Sequence, residues 1–145
     1  MGTDGFEEHR LTAQDGVSLY FRDYPAAKRA QGPAPTVLCL CGLARNSGDY
    51  HRLAGILSRR GHRVIAPDYR GRGRSGYDPD PMNYLPATYL GDIRHLLSAL
   101  NLHQVVVIGT SLGGLLAMGM GAAMPSVLKG VILNDVGPDI DSSGL

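Results

Sequence analysis

The sequence has only two cysteines and no excess of charge of either sign. Cys39 and Cys41 lie in one apolar run without a second pair, which excludes the ligand spacing of a zinc site and the pattern of a disulfide framework. Lysine and arginine total 14 against 13 acidic residues, with no block of like charge. This balance excludes the charged surface expected for a nucleic-acid or anionic-membrane partner. We therefore expect reduced thiols and a cytoplasmic chain that binds no nucleic acid.

No targeting segment is visible in Met1–Phe6, which has neither a basic nor a long apolar stretch. One uncharged run of 20 residues, Val105–Met124, has the length of a membrane span. However, β-branched residues open this run, Gly-Thr-Ser-Leu-Gly-Gly interrupts it, and no basic flank accompanies it. We interpret it as a strand followed by a buried helix, and we expect no membrane partner.

The rest of the chain consists of short apolar runs that alternate with helical segments. Phe6–Ala13 and Val17–Asp23 flank the turn residues 14–16 and predict an antiparallel hairpin with one buried face. The later apolar runs, which predict buried strands, are Val37–Leu40, Val64–Ala66, Val105–Ile108 and Val131–Leu133. Because helical segments separate these runs, we predict an α/β fold with a mostly parallel, doubly wound sheet after the hairpin.

Three segments have helical periodicity. Asp49–Arg60 has Ser47 as its expected N-cap and Gly61 just beyond its end. Its apolar face consists of Tyr50, Leu53, Ile56 and Leu57. Pro86–Leu100 is amphipathic and needs a sheet against which its apolar side can pack. Leu112–Met124 is apolar on all sides, which predicts a buried helix in the centre of the fold.

The run Gly109-Thr110-Ser111-Leu112-Gly113 follows a predicted buried strand and opens a predicted helix. This G-x-S-x-G pattern is typical of a sharp strand-to-helix turn that exposes a serine hydroxyl above the sheet edge. Gly109 and Gly113 leave the space that such a turn needs, and the helix N-terminus offers free N–H groups to developing negative charge. We predict Ser111 as a nucleophile and the N–H of Leu112 as an oxyanion donor. The alternative is a glycine-rich turn that only packs closely.

With this motif in place, the chain resembles the α/β-hydrolase superfamily from the hairpin to its end. The loop Cys41–Asn46 follows the first parallel strand, where that family usually has a His-Gly oxyanion loop. The resemblance implies that the backbone N–H of Leu43 is the second oxyanion donor. Cys41 replaces the family's histidine, which leaves a backbone donor in place but changes the hydrogen bonds that support the loop. A nucleophilic role for Cys41 is not favoured, because burial raises the pKa of a thiol.

The segment Pro67–Ser75 is similar to the family's turn after the next strand. Its three arginines are Arg70, Arg72 and Arg74. We interpret them as a structural and solvated turn, with contact to a substrate carboxylate as the alternative. The same region contains the glycine spacing of a dinucleotide-binding fingerprint, at Gly71, Gly73 and Gly76. That site requires a helix to begin at the glycines, whereas two prolines follow, so we predict no nucleotide cofactor.

A serine hydrolase also needs a histidine beside its serine and an acid that orients the histidine. None of the five histidines follows Ser111. His62 and His103 precede predicted strands and so should lie about 17–20 Å from the nucleophile edge of the sheet. His51, early in the helix after the oxyanion loop, is the one candidate at the correct edge. Asp135, after the last predicted strand, is a candidate acid, with a polar turn as the alternative interpretation.

Open hydrolase sheets need about 250 residues. We therefore expect residues 1–145 to be the N-terminal part of one core domain of the α/β-hydrolase type. A companion C-terminal chain or fragment of the same hydrolase would supply the cap, further strands and the histidine. The expected function is hydrolysis of a small hydrophobic carbonyl substrate, a carboxylic ester, lactone or C–C diketone, without metal or cofactor. The alternatives are an acyltransferase or perhydrolase of the same fold and a catalytically silent binding member.

Overall fold

Six strands form one mixed sheet in the part of the chain that the structure, a computed structural model, describes, residues 5–134. The strands are Glu7–Thr12 (β1), Ser18–Tyr24 (β2), Val37–Leu40 (β3), Val64–Pro67 (β4), Val105–Thr110 (β5) and Leu128–Asn134 (β6). Their order across the sheet is β1-β2-β4-β3-β5-β6. β2 pairs antiparallel with β1 and with β4, whereas β4, β3, β5 and β6 run parallel. The predicted hairpin followed by a parallel sheet is confirmed.

Three α-helices cover the sheet: His51–Arg59 (α1), Pro86–Ala99 (α2) and Leu112–Ala123 (α3). The chain moves from β3 to β4 in one direction across the sheet, and from β4 through β5 to β6 in the other. Because parallel crossovers are right-handed, α1 covers one face of the sheet and α2 and α3 cover the other, as a doubly wound fold requires. Among the helices within residues 5–134, none is long and apolar enough to cross a bilayer.

The start of α1 differs from the prediction. A short 3₁₀ helix, Ser47–Tyr50, precedes α1, and Asn46 caps it by accepting a hydrogen bond from the Gly48 N–H at 2.9 Å. Ser47, the predicted cap, lies inside this helix, where its own N–H donates to the carboxylate of Asp68 at 2.6 Å. The contact of Ser47 with Asp68, which follows β4, therefore accompanies the shift of the cap from Ser47 to Asn46.

Arg70 is buried, so the prediction of a solvated turn is wrong for this residue. Only 2% of its side chain is exposed, and its guanidinium binds three carboxylates. Nη2 and Nε donate to Asp92 at 2.6 and 2.8 Å, while Nη1 donates to Asp15 at 2.6 Å and to Asp78 at 2.7 Å. These bonds join the turn after β4 to the hairpin turn and to α2. The guanidinium is thus already occupied by protein carboxylates, whereas the other two arginines of the segment are exposed.

β6 forms one edge of the sheet within the described residues. Its Val131 and Ile132 are 40% and 54% exposed, so large apolar side chains lie along this edge. Leu115 on the neighbouring helix α3 is 39% exposed. The prediction that α3 is buried on all sides is therefore wrong for residues 5–134, because no element in that range covers its outer side.

Candidate active site

Ser111 lies at the junction of β5 and α3, with its side chain exposed. Its backbone has φ 54° and ψ −115°, a region that costs a residue other than glycine about 1–3 kcal/mol. The first turn of α3 begins directly at this residue, since the Ser111 carbonyl accepts hydrogen bonds from Gly114 and Leu115 at 2.9 and 3.1 Å. Within residues 5–134, its hydroxyl makes no hydrogen bond. The strained turn therefore presents a free hydroxyl at the sheet edge.

The two glycines of the motif are required by close packing of backbone on backbone. A Cβ at Gly109 would lie 2.4 Å from the carbonyl oxygen of Gly113. A Cβ at Gly113 would lie 2.0 Å from the carbonyl oxygen of Leu40, at the end of β3. Both distances are far below van der Waals contact, and neither obstacle is a flexible side chain. The glycines thus allow the N-terminus of α3 to pack directly on the neighbouring strand end.

The loop after β3 lies beside Ser111. A Cβ at Gly42 would be 3.5 Å from the Cβ of Ser111. The loop is a tight turn closed by a hydrogen bond from the Arg45 N–H to the Gly42 carbonyl at 3.2 Å, with Ala44 in the left-handed region at φ 61°. Among the described residues, neither the Leu43 N–H nor the Leu112 N–H has a hydrogen-bond acceptor. The structure therefore brings two free N–H groups close to one exposed serine hydroxyl.

Two buried tyrosines bind the carbonyl groups where β3 ends and this loop begins. The Tyr69 hydroxyl donates to the Cys41 carbonyl at 2.7 Å, and the Tyr50 hydroxyl donates to the Leu40 carbonyl at 2.9 Å. Burial raises the pKa of Tyr50 to about 12 and that of Tyr69 further, so both remain protonated donors at neutral pH. The sequence places Tyr50 on the apolar face of the first helix. The helical spacing of apolar residues predicts that this face is buried, but it does not predict which group the Tyr50 hydroxyl binds.

Cys39 and Cys41 have buried thiols whose pKa burial raises to about 12. At pH 8 about one thiol in ten thousand is then ionised. We expect neither cysteine to react with iodoacetamide in the folded chain at pH 8, and both to react in 6 M guanidinium chloride, as counted by intact mass. Rapid alkylation of one thiol in the folded chain would contradict this, since it would show an accessible thiolate.

An open cleft of about 600 Å³ adjoins Ser111. Its lining residues are Cys41, Gly42, Leu43, Arg45, Asp49, Tyr50, Leu53, Thr110, Ser111 and Asn134. Leu43 and Leu53 expose 60% and 38% of their surface and form an apolar wall. The charged groups in this lining, Arg45 and Asp49, pair with each other through hydrogen bonds of 2.6 and 3.1 Å. The described part of the cleft therefore combines an apolar wall with polar groups near Ser111 and carries no unbalanced charge.

The described histidines do not line this cleft. The Nδ1 of His51 lies 2.9 Å from the Tyr24 hydroxyl and 3.4 Å from the Arg22 guanidinium, so the one histidine predicted at the correct edge is engaged elsewhere. His62 and His103 precede β4 and β5, at the opposite ends of the strands from Ser111. The candidate acid Asp135 lies outside the described residues. A histidine beside Ser111 is thus not among residues 5–134.

Comparison with protein families agrees with this arrangement. The profile of the family described as "alpha/beta hydrolase fold" matches residues 35–143, which include the loop after β3 and the Ser111 turn. The chain belongs to the α/β-hydrolase fold family. The loop after the first parallel strand of this hydrolase-fold chain begins with Cys41 in place of the family's usual histidine. The two buried tyrosines supply hydrogen bonds to the carbonyl groups of Leu40 and Cys41.

Several relatives of this hydrolase-fold chain are longer proteins. It is 38% identical over 112 residues to the 3-hydroxybutyrate-oligomer hydrolase of Cupriavidus necator, an alignment of 77% of the chain and 38% of that protein. It is 33% identical to an epoxide hydrolase of Caballeronia sordidicola, over 89% of the chain and 37% of that protein. The crystal structure of an alpha/beta hydrolase from Novosphingobium aromaticivorans superposes with a TM-score of 0.89 at 43% identity, covering 99% of the chain and 48% of that structure. The chain spans less than half the length of each.

Proposed function

We propose that this chain carries the nucleophile of a serine hydrolase that acts on a carbonyl substrate: a carboxylic ester, a lactone or a C–C diketone. The observation that carries the proposal is the exposed Ser111 hydroxyl, held at a positive φ beside the free N–H groups of Leu43 and Leu112. Such a pair of donors stabilises the oxyanion that forms when a hydroxyl attacks a carbonyl carbon. Removing one donor from such a site costs about 10²- to 10³-fold in rate.

The reaction proceeds in two balanced steps. Ser111 Oγ bonds to the carbonyl carbon while its proton passes to a histidine base, and the collapse of the tetrahedral intermediate expels the protonated leaving group. Water then attacks the acyl-serine, the same histidine removes its proton, and the acid is released with Ser111 restored. In our proposal this histidine lies on a companion C-terminal chain or segment. The edge position of β6 in the described sheet supports such a companion, since a further strand could pair with its backbone and cover the exposed Val131 and Ile132.

Serine chemistry favours a carbonyl substrate over an epoxide. If Ser111 attacked an epoxide carbon, the product would be an ether, which water does not hydrolyse under these conditions and which has no oxyanion for the two N–H groups to bind. An acyl-serine, in contrast, is an ester that water cleaves. The relative that acts on 3-hydroxybutyrate oligomers is consistent with an ester substrate. The apolar wall of Leu43 and Leu53 favours a small hydrophobic acyl group.

Asp135 remains our candidate for the acid that orients the histidine. Its neighbour in sequence, Asn134, ends β6 and accepts a hydrogen bond from the Ser111 N–H at 3.2 Å. This bond supports the proposal, because it ties the chain just before Asp135 to the backbone of the serine turn. The alternative is a polar turn at Asp135 that only shapes the pocket. Asp135→Asn distinguishes the two interpretations, because it should slow acylation of Ser111 only if Asp135 orients the histidine.

The purified protein, exposed briefly to a fluorophosphonate and measured by denaturing intact-mass spectrometry, tests the proposal. We expect one adduct on the 145-residue chain and the mass of a companion polypeptide. The adduct should be lost in Ser111→Ala and kept in Ser126→Ala, a matched control at an exposed serine beyond α3. An adduct that persists in Ser111→Ala would assign the chemistry to another residue. An unlabelled protein would identify a catalytically silent binding member, and competition by an added alcohol for the acyl group would identify an acyltransferase.

A further inference from the structure

Tyr50 joins the two strand ends that carry the proposed oxyanion donors. Leu40 is the last residue of β3 and leads into the loop that contains Leu43. Thr110 is the last residue of β5 and directly precedes Ser111. The Tyr50 hydroxyl lies 2.9 Å from the Leu40 carbonyl oxygen and 2.7 Å from the Thr110 hydroxyl. One phenol therefore bonds to both strand ends.

The two hydrogen bonds have assigned directions. Carbonyls only accept, so the single proton of Tyr50 points to the Leu40 carbonyl at 2.9 Å, with the Ile108 carbonyl of β5 as a longer second acceptor at 3.5 Å. The Thr110 hydroxyl is then the donor to the Tyr50 oxygen. Tyr50 is buried at 7% exposure. Burial strengthens both bonds and makes an unpaired hydroxyl or carbonyl costly. The result is a short chain of hydrogen bonds, from Thr110 through Tyr50 to Leu40.

Leu40 is also the carbonyl on which α3 packs, since it is the atom that a side chain at Gly113 would strike. The same oxygen thus contacts the first turn of α3 and accepts from Tyr50. A shift of β3 relative to β5 would change the separation of the Leu43 N–H from the Leu112 N–H. Oxyanion donors act only when their distances to the developing charge are correct, and displacements of about 1 Å cost up to about 100-fold in rate.

We propose that Tyr50 is a positioning residue whose hydroxyl, by tying the end of β3 to the end of β5, sets the separation of the Leu43 and Leu112 N–H groups for binding an oxyanion. This inference rests on the proposed serine hydrolase function. Tyr50 lines the cleft but is buried at 7% exposure, and its hydroxyl is bonded to protein groups, so we expect its effect to fall on the transition state. Substrate binding to the apolar wall should not depend on it.

Tyr50→Phe tests the inference, with Tyr89→Phe as a matched control. Tyr89 is also a buried tyrosine, packed against Tyr69 with ring centroids 5.3 Å apart, but its hydroxyl has no hydrogen-bond partner in the described range. We expect Tyr50→Phe to lower kcat about 10- to 100-fold with KM within about twofold of the parent. Tyr89→Phe should leave both constants unchanged. Active sites are counted with the fluorophosphonate, so that misfolded protein does not lower the apparent kcat.

A second pair of variants tests the other end of the hydrogen-bond chain. Thr110→Val removes the hydroxyl that donates to Tyr50 but keeps the volume of the threonine side chain, and it should lower kcat as Tyr50→Phe does. Thr110→Ser restores the hydroxyl and should recover most of the loss. Equal kcat per active site for Tyr50→Phe and the parent, even with a lower Tm, would reduce Tyr50 to a stabilising residue and overturn the inference. If the parent protein takes up no fluorophosphonate, the proposed function itself fails, and the role of Tyr50 fails with it.

Discussion

Arg70→Met is expected to lower the free energy of unfolding by about 3–5 kcal/mol, the loss typical of removing one partner from a buried ion pair. The guanidinium binds Asp15, Asp78 and Asp92, and Asp78 is itself only 5% exposed. Methionine fills similar volume but leaves the carboxylates of Asp78 and Asp92 without their cation. The turn after β4, the hairpin turn and α2 would then repel one another where they are now joined.

The pH dependence of stability should change with this substitution. In the parent chain the Arg70 hydrogen bond holds the pKa of Asp15 below its usual value of 3.8, and a backbone N–H of Asp80, together with Arg70, lowers the pKa of Asp78. Carboxylates with lowered pKa values stabilise the fold above 3.8 and lose that contribution as the pH falls through the folded-state values. The parent should therefore lose stability in acid. In Arg70→Met the Asp80 N–H still lowers the pKa of Asp78, but Asp15 loses the hydrogen bond that lowers its own pKa. The variant should therefore lose less stability than the parent as the pH falls below 3.8.

Urea unfolding at pH 7 and pH 3 measures both effects. Arg74→Met is the matched control, because Arg74 pairs with Glu8 on the surface with 61% and 50% of the two side chains exposed. Exposed pairs contribute about 0–1 kcal/mol, so this control should remain close to the parent at both pH values. Equal losses in the two variants would show that the Arg70 cluster contributes no more than a surface pair.

Gly113→Ala is expected to destabilise the chain by about 3 kcal/mol and to abolish fluorophosphonate labelling of Ser111. The new Cβ would lie 2.0 Å from the Leu40 carbonyl oxygen, so either α3 or the end of β3 must move. Overpacking against backbone costs at the upper end of the range for core insertions, about 1–3 kcal/mol. The same movement would displace the N–H groups of Leu43 and Leu112 from Ser111.

Gly121→Ala in the same helix provides the comparison. Its Cβ would lie 3.7 Å from the Leu128 side chain, which is ordinary contact, and alanine is favoured over glycine inside a helix by about 1 kcal/mol. Gly121→Ala should therefore raise Tm and leave labelling unchanged. The measurements are thermal unfolding and intact mass after labelling. Normal labelling of a folded Gly113→Ala protein would show that the serine turn tolerates a wider separation from β3 than the structure indicates.

The order of elements was accessible from sequence because its signals are local. Alternating apolar residues in Val17–Asp23, short β-branched runs and helical periodicity predict the hairpin, the parallel strands and three helices. The sharp strand-to-helix turn at Ser111 was also predictable, since a strand, a glycine, a serine and a helix start follow one another along the chain. Boundaries shifted where a distant group intervened, as at Ser47, whose N–H is held by Asp68.

The role of individual polar side chains was less accessible, because it depends on partners far away in the chain. In the sequence Arg70 is one of three similar turn arginines, yet it alone is buried. It binds Asp15 and Asp92, which are 55 and 22 residues away along the chain. In the sequence Tyr50 belongs to the apolar face of a helix, yet its hydroxyl forms a hydrogen bond with Thr110, 60 residues away. Periodicity identifies the side of a helix that is buried, but it carries no information on which polar atoms meet there.

By itself, the sequence determined the α/β order of the strands and helices and the exposure of Ser111, because turn chemistry and apolar periodicity act between neighbouring residues. Only the tertiary structure decided that Gly113 must lie against Leu40, that Tyr50 joins two strand ends, and that Arg70 is enclosed by three carboxylates. These arrangements arise when strands distant in sequence pair side by side. The pairing brings backbone and side-chain groups into contact distances that no local pattern specifies.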